Sequence, residues 1–425
     1  MSGRFWALDE SVTFLNHGSF GACPRDVLAV QQALRDRLEA EPVRFLAREL
    51  EGLLDAARAK LAAYVGADPA CFAFVPNATA GVNTVLRSLR FAPGDELLTT
   101  DHEYNASVNA LRFAADRDGA RVIVARIPFP IGSSRDAVDA ILARVTPRTR
   151  LALLSHVTSS TALVLPLDEL VPELRRRGVE TLVDGAHAPG MLPLDLTALG
   201  AAYYTGNLHK WCCAPKGAAF LHVRADLRER LRPLAISHGA NATRTDRSRF
   251  RLEFDWTGTH DPTPYLCAPV ALDALEAMVP GGWPEIRAAN RRLALYGRDA
   301  ICAALGTEPP APDDLLGSMV GLLLPVHAAA RPWEGTPDAV PSPPVDDHPL
   351  QAALRERFAI EVPVLPWPQP WAAREPGPPG RRSPAGTSRP RRIVRISAHL
   401  YNSPAQYDWL AAALAELLHG RPAPR

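Results

Sequence analysis

Lys210 is the residue of this chain best suited to covalent chemistry with a carbonyl group. The chain has 47 Lys and Arg residues together, and only three of them are Lys: Lys60, Lys210 and Lys216. An amine can lose its proton and form a Schiff base, whereas a guanidinium cannot. Lys60 lies on an amphipathic helical pattern and Lys216 in a PKG turn, but Lys210 is flanked by the apolar Leu208 and Trp211. We therefore predict that Lys210 is the reactive amine.

Asp184 is a candidate acidic partner, 26 residues before Lys210 at the end of an apolar strand-like run. A carboxylate beside a ring nitrogen favours the protonated ring. In a Schiff-base cofactor such as pyridoxal phosphate, that ring is the electron sink for a carbanion at the Cα of an amino acid. The alternative is a capping role before Gly185. His187 could reach a ring hydroxyl, although a lone His is more often structural.

Two further segments could hold the phosphate and the ring of such a cofactor. The sequence VPNATAGVN (75–83) is typical of a strand, a turn and a helix start, where unpaired N–H groups bind phosphate. Thr79 would add a hydroxyl, but simple helix capping by Asn77 or Thr79 would look the same. Tyr104 follows another strand and could stack on a ring, or could be an ordinary aromatic residue at the edge of the core.

Arg395 is the candidate for binding a substrate carboxylate. It lies in the apolar strand pattern RIVRISAHLYN, where burial of an arginine is costly unless it is paired. A two-pronged hydrogen bond to a substrate carboxylate would satisfy it. A structural ion pair with an Asp or Glu of this chain would satisfy it equally well.

Short apolar runs alternate with helical patterns from about residue 71, which predicts a mostly parallel sheet with helices on both faces. The polar residues named above follow those runs, and ligands of open α/β sheets bind at that edge. The candidate strands are CFAFVPN, DELLTTDHEY, ARVIVARI, RLALLSHVT, ETLVDGAHA, AAYYTGN and GAAFLHV. A long helical pattern interrupted near Pro42 precedes them, over residues 25–65.

We expect two domains from the length of 425 residues. The N-terminal segment 1–24 should pack on the smaller, C-terminal α+β domain, 270–425, and residues 25–269 should form the large domain. The small domain includes the strand-like MVGLLLPV and RIVRISAH. The Pro-rich stretches 331–349 and 363–390 are typical of loops, and the basic run 381–392 of a solvated loop.

The composition excludes several other classes of protein. A net charge of +1 argues against a nucleic-acid or anionic-membrane surface. No apolar stretch is long enough to span a bilayer, and the N-terminus lacks a signal-peptide core, so we expect a cytoplasmic location. The six cysteines show no CxxC or CxxH spacing, so we predict neither a metal site nor a redox pair.

These segments together resemble the class V aminotransferase family of pyridoxal-phosphate enzymes, and most closely its isopenicillin N epimerase-like members. The likeness extends from residue 14 to 402. It is carried by LNHGSFGACPRDV, EPVRFLARE, NATAGVN, DHEYNA, SHVTSSTALVLPLDEL, VDGAHAPGMLPLDL, GNLHKW, APKG, DWTGTHDPT and VRISAHLYN. The resemblance implies a fold-type I architecture with a seven-stranded sheet, and a homodimer with shared active sites.

The resemblance also implies roles for individual residues. Lys210 would hold pyridoxal 5′-phosphate, Asp184 would pair with its ring nitrogen, His187 would bond the ring hydroxyl and Tyr104 would stack on the ring. The remaining positions would bind the phosphate (Ala78, Thr79, Asn207 and His209, with Gly258 and Thr259 from the second subunit) and the amino-acid substrate (Asn16, His17, Thr158 and Arg395).

Two departures bear on the reaction. Cysteine desulfurases of this class use a Cys before the carboxylate-binding Arg, and residues 363–394 contain none, which argues against a persulfide-forming enzyme. Epimerase-like members tend to have another residue at His17. We expect removal of a group from the Cα of an amino acid, with epimerisation first and C–S β-lysis or transamination as alternatives. A non-catalytic relative should have lost Lys210 or Asp184, and this chain retains both.

Overall fold

The computed structural model describes residues 5–325, 348–372 and 391–420. Its strands are β1 Thr13–Phe14, β2 Phe72–Val75, β3 Glu96–Thr100, β4 Arg121–Ala125, β5 Thr149–Ser155, β6 Glu180–Asp184, β7 Tyr203–Asn207, β8 Ala219–Val223, β9 Met319–Leu323, β10 Ile360–Glu361, β11 Val364–Trp367 and β12 Arg391–Ser397. Its α-helices are His17–Phe20, Arg25–Ala40, Pro42–Arg44, Leu50–Tyr64, Ala78–Ser88, Asn105–Asp118, Ser134–Leu142, Leu167–Arg176, Leu196–Leu199, Arg249–Phe254, Thr263–Met278, Gly282–Leu305, Pro349–Phe358 and Pro404–His419.

The predicted seven-stranded, mostly parallel sheet is confirmed. Its strand order is β2-β8-β7-β6-β5-β3-β4, and β8 alone runs against its two neighbours. Strands β2, β3, β7 and β8 are buried along their whole length, because helices cover both faces of the sheet. The carboxyl ends of the other six strands therefore meet at one edge, which is where the predicted site residues follow β2, β3, β5, β6 and β7.

The long N-terminal helical pattern is also confirmed, with its break at the expected place. The helix Arg25–Ala40 ends at Glu41, whose φ of −151° is not helical, and a new helix starts with Pro42 in its first turn. A proline is tolerated there because its missing N–H would have had no partner. The π-helix Phe45–Glu49 then continues into Leu50–Tyr64.

A second sheet of order β11-β12-β9 forms from the C-terminal residues, with antiparallel pairing throughout. The N-terminal β1 pairs in parallel with β10, through Thr13 and Ile360. Helix Thr263–Met278 runs through position 269, where we placed a domain boundary. The division at residues 24 and 269 stays a prediction. Among the described residues, no helix combines the length and apolar character that a membrane crossing requires.

The two Pro-rich stretches that we expected to be loops lie largely outside the described residues. Within the described part of 363–390, the loop prediction is wrong for Val364–Trp367, which forms β11, whereas residues 368–372 lie outside any helix or strand. Pro366 is tolerated because β11 is the edge strand of its sheet. In the other stretch, Pro349 begins the helix Pro349–Phe358. Most of the basic run 381–392 lies outside the described residues, and its last two residues start β12.

Candidate active site

Lys210 lies in the turn between β7 and β8, with its Nζ 3.1 Å from Nε2 of His187. Burial, reinforced by the positive charge of Arg395, lowers the pKa of Lys210 to about 7, although the charge of Asp184 opposes the shift. Much of the Lys210 population is therefore a neutral amine near neutral pH, which is the form that attacks an aldehyde.

The two other lysines have the surface positions expected of them. Lys60 is exposed on helix Leu50–Tyr64 and forms an ion pair with Asp273. Lys216 is exposed in the turn before β8 and donates to the carbonyl of Gly21 at 2.9 Å. Of the three lysines, Lys210 is thus the one whose side chain is not exposed and whose amine contacts His187.

Asp184 is the last residue of β6 and is buried, with 4% of its surface exposed. Its Oδ2 accepts a 2.7 Å hydrogen bond from Oγ of Ser107, and its Oδ1 accepts one of 3.1 Å from the N–H of Ala186. The two bonds orient the carboxylate, so capping of the turn and a role at the site coexist. We did not predict Ser107, which lies in the first turn of the helix after Tyr104.

The start of helix Ala78–Ser88 combines the two roles that the sequence left open. Asn77 caps the helix by accepting from the N–H of Ala80 at 2.8 Å. The N–H of Ala78, which we expected to bind phosphate, donates instead to Oδ1 of Asn207 at 2.8 Å. Within the described part of the chain, the N–H and hydroxyl of Thr79 make no hydrogen bond. Thr79 is therefore the residue of this turn that fits an anion.

Two further predicted cofactor residues lie at the same edge of the sheet. His209 donates from Nδ1 to the carbonyl of Ala218 at 3.1 Å, and burial lowers its pKa to about 4, so the ring is neutral. Tyr104 immediately precedes helix Asn105–Asp118 and is 47% exposed. An exposed aromatic face at this place fits a flat ring stacked on it.

Arg395 is buried on β12, with 4% of its surface exposed. Its guanidinium donates to the carbonyl of Ser159 and to Oγ of Ser19, both at 2.8 Å, and to Oδ1 of Asn16 at 3.4 Å. No carboxylate of the described residues lies within ion-pair distance of it, and its Nε has no partner there. Burial lowers its pKa to about 10, so the group stays charged at neutral pH.

Arg395 therefore does not form the structural ion pair that the sequence left open with any residue that the structure describes. A buried, charged guanidinium with an unused donor is costly unless an anion completes it. Ser19 and Ser159, which contact it, were not predicted. They follow Asn16 and Thr158 closely in the sequence, and only the fold shows that they converge on β12.

His17 is held at both nitrogens of its ring. The ring is fully buried, Nδ1 lies 2.8 Å from the hydroxyl of Tyr401, and Nε2 lies 3.0 Å from the carbonyl of Lys210. His17 therefore supports the backbone of Lys210, and its predicted contact with the substrate stays a prediction. Thr158 is also fully buried, and its hydroxyl is bonded to Thr161 and to the N–H of Leu163.

His17, Cys213 and His399 form a buried cluster of potential metal ligands next to Lys210. Cys213 Sγ lies 3.4 Å from Nε2 of His399 and 3.9 Å from Nε2 of His17. The two imidazoles, however, are stacked 4.3 Å apart with their planes only 21° from parallel. Lone pairs of stacked rings run side by side, so they do not converge on one ion, and the arrangement fits a packed hydrogen-bonded cluster.

Gly258 and Thr259 lie on the loop after helix Arg249–Phe254. Gly258 has a φ of +113°, a backbone conformation that residues with a Cβ rarely adopt, and open space lies around it. Thr259 is exposed. Both are accessible from outside the chain, and their predicted contribution to a second subunit stays a prediction.

The residues at this edge fit pyridoxal 5′-phosphate. Such a cofactor needs an amine, an acid for its ring nitrogen and donors for its phosphate. The fold supplies a lysine with a lowered pKa, a buried and oriented carboxylate, and a free N–H and hydroxyl at a helix start. It also supplies a buried arginine that has no counter-ion among the described residues. That fold and that site define a fold-type I enzyme dependent on pyridoxal 5′-phosphate.

Comparison with known proteins identifies the family. Residues 22–310 match the aminotransferase class-V family, and the chain belongs to it. It is 38% identical to isopenicillin N epimerase of Amycolatopsis lactamdurans, over 97% of this chain and 96% of that protein. It is 36% identical to the Streptomyces clavuligerus enzyme of that name, over 96% of both chains. A putative L-cysteine desulfhydrase 1 of Oryza sativa subsp. japonica is 31% identical, over 96% of this chain and 84% of that one.

Solved structures show the same fold. The cystine C–S lyase C-DES with its product cysteine persulfide aligns with a TM-score of 0.73 at 23% identity, covering 96% of this chain and 98% of that one. The cysteine desulfurase CsdA of Escherichia coli aligns with a TM-score of 0.74 at 21% identity, covering 98% and 97%. The predictions of the family, the fold class, an enzyme and its cofactor are therefore confirmed.

Proposed function

We propose that this enzyme inverts the configuration at the Cα of an amino acid or of a small molecule that contains one. Near full-length similarity to two isopenicillin N epimerases supports the reaction. The observation that carries the substrate class is Arg395, a buried guanidinium without a carboxylate partner among the described residues. A substrate α-carboxylate would complete it with two parallel hydrogen bonds.

Each residue of the site has one task in this proposal. Bound cofactor supplies the electron sink that makes the Cα proton of the substrate acidic. Arg395 holds the carboxylate and so fixes which bond of Cα is labile. Lys210 would take the Cα proton of the substrate, and such a positioned base contributes about 10²–10⁴-fold. Asp184, oriented by Ser107, would keep the ring nitrogen of a bound cofactor protonated. Return of a proton to the opposite face gives the inverted product.

A C–S β-lyase is the second candidate, and the similarity to the rice desulfhydrase favours it. It shares the first proton removal and then expels a sulfur group from Cβ. Transamination shares that step too and differs in where the proton returns.

Incubation of the purified enzyme with L-amino acids and cysteine in heavy water separates the three reactions. Deuterium at Cα with appearance of the D-isomer supports epimerisation. Pyruvate with sulfide indicates the lyase, and a keto acid that retains its side chain indicates transamination. Either of those outcomes without inversion overturns the epimerase proposal.

We also propose a cytoplasmic homodimer in which Gly258 and Thr259 complete the partner's phosphate site. Their exposed loop and the exposed apolar side chains of Leu234 (49%) and Ile236 (63%) support a subunit interface. Mixed dimers test the sharing. If sites are shared, Lys210→Ala and Thr259→Glu chains, each inactive alone, together form one intact site and recover activity. If each site lies within one chain, mixing restores nothing.

A further inference from the structure

Two buried rings lead to the amine of Lys210. The indole Nε1 of Trp211 donates to Nδ1 of His187 at 3.4 Å, and Nε2 of the same imidazole lies 3.1 Å from Nζ of Lys210. Trp211 and His187 are 1% and 3% exposed, so water does not compete for the contact between the two rings. The order of the groups therefore limits where their protons lie.

The indole determines the tautomer of His187. An indole N–H can only donate, so the imidazole nitrogen that it faces must accept. Burial, together with the positive charges of Lys210 and Arg395, holds the pKa of His187 well below its usual range, so the ring is neutral. A neutral imidazole that accepts at Nδ1 carries its proton on Nε2, the nitrogen that faces Lys210.

The amine must then accept. An ammonium group has three donors and no lone pair, so facing it with an N–H would leave two donors in contact in a buried place. A neutral amine accepts this N–H without penalty. The contact therefore favours the nucleophilic form of Lys210 before the cofactor arrives.

We propose that Trp211 is a positioning residue which, through the tautomer of His187, holds Lys210 as a neutral amine ready to capture the cofactor aldehyde. The consequence for function rests on the proposed role of Lys210. The inferred proton positions on His187 and Lys210 do not depend on that role. In sequence terms, Trp211 directly follows the lysine, so one turn supplies both the nucleophile and the donor that controls it.

Other charged groups near the amine of Lys210 also shift its equilibrium between the ammonium and the neutral form. Arg395 disfavours the ammonium form and Asp184 favours it, while His17 and His209 add to the lowering at His187. None of these groups is altered when the indole N–H is removed. Loss of that N–H should therefore change the Lys210 equilibrium through His187 alone.

The test uses Trp211→Phe with Trp6→Phe as the matched control. Trp6 is equally buried, and its ring packs on His399 and Tyr401 at 5.3 and 5.1 Å, without an interaction with His187. Nitrogen-15 spectra of the full-length, cofactor-free protein report the tautomer, with the His187 signals assigned by a His187→Gln variant. We expect Nε2 protonated and Nδ1 unprotonated in wild type, and a mixture in Trp211→Phe only.

Stopped-flow addition of pyridoxal 5′-phosphate gives the second readout. Capture by Trp211→Phe should be about two- to tenfold slower near neutral pH, the effect of one net hydrogen bond, and equal to wild type where the amine is fully neutral. A wild-type His187 protonated on Nδ1 would overturn the proposal, even if the variant fails to fold. So would equal slowing in both Trp variants. Attachment of the cofactor to another lysine would overturn the function instead and leave the tautomer result standing.

Discussion

The guanidinium of Arg395 donates a 2.8 Å hydrogen bond to Oγ of Ser19, a hydroxyl, where an ion-paired arginine would have a carboxylate. The serine comes from the short helix His17–Phe20, and the arginine from β12, 376 residues later. A neutral hydroxyl does not compensate the positive charge of Arg395. The carboxylate of a substrate could therefore pair with a guanidinium that is shielded from water. In the proposed function, this contact would link the N-terminal segment to substrate binding.

Replacement of Arg395 separates substrate binding from folding. Arg395→Lys replaces a planar fork by a point charge, so we expect KM to rise about tenfold or more while cofactor content stays unchanged. Arg395→Met should raise KM further without lowering the thermal midpoint, because it removes a buried charge that has no counter-ion among the described residues. Steady-state kinetics and thermal unfolding measure both. An unchanged KM in Arg395→Lys for every substrate would rule out the assigned role.

Asp184 and its supporting serine should give graded losses. Asp184→Asn keeps the shape and the Ser107 hydrogen bond but removes the negative charge, so we expect kcat to fall by roughly 10²–10³-fold, as for other preorganised charge stabilisers. Ser107→Ala frees one carboxylate oxygen and should cost less. Kinetics on both variants, with cofactor occupancy read from absorbance, checks the order. A larger loss in the serine variant would contradict it.

His17 should matter for stability more than for catalysis. Its ring bonds Tyr401 and the Lys210 carbonyl, so His17→Ala leaves buried polar groups unpaired at a cost of about 1–3 kcal/mol each. Denaturant unfolding measures the loss, and Tyr401→Phe provides a milder comparison. A drop in kcat of the size expected from loss of an acid–base group, about 10²–10⁴-fold, in a stable His17→Gln variant would contradict this and indicate a part for His17 in proton transfer.

The lowered pKa of Lys210 predicts how stability depends on pH. The folded-state pKa is about 7, whereas an unfolded lysine titrates near about 10.4. Between these values the unfolded chain binds a proton that the folded chain does not, so folding free energy becomes more favourable as pH rises. Cofactor-free wild type should therefore gain stability relative to Lys210→Met between about pH 7 and pH 10. Denaturant unfolding across that window measures the difference. A difference in unfolding free energy between the two proteins that stays constant with pH would show that Lys210 is not held neutral.

The sheet could be predicted from the sequence because its strands are buried on both faces and stand out as short apolar runs. The edge strand β11 was missed because Pro366 is typical of a loop, and only its place at the edge of the sheet makes the proline tolerable.

The sequence suggests site candidates where a residue type is chemically unusual for its surroundings, as Lys210, Asp184 and Arg395 are. It gives no such signal where the contacts of a residue depend on the direction in which its side chain points. His17 and Thr158 lie at the right places in the chain but are fully buried, and Ser19 and Ser159 make the contacts to Arg395. Ser107 and Trp211 gave no signal beyond their closeness to Tyr104 and Lys210.

Reduction of the holoenzyme with borohydride, followed by peptide mapping, tests the central claim most directly. The chain offers only three lysine side chains, so the attachment point of the reduced cofactor is unambiguous. We predict that the label lies on the peptide containing Lys210, and that Lys210→Ala carries none while Lys60→Ala is labelled as wild type. A label on Lys60 or Lys216, or one that survives in Lys210→Ala, would contradict the account.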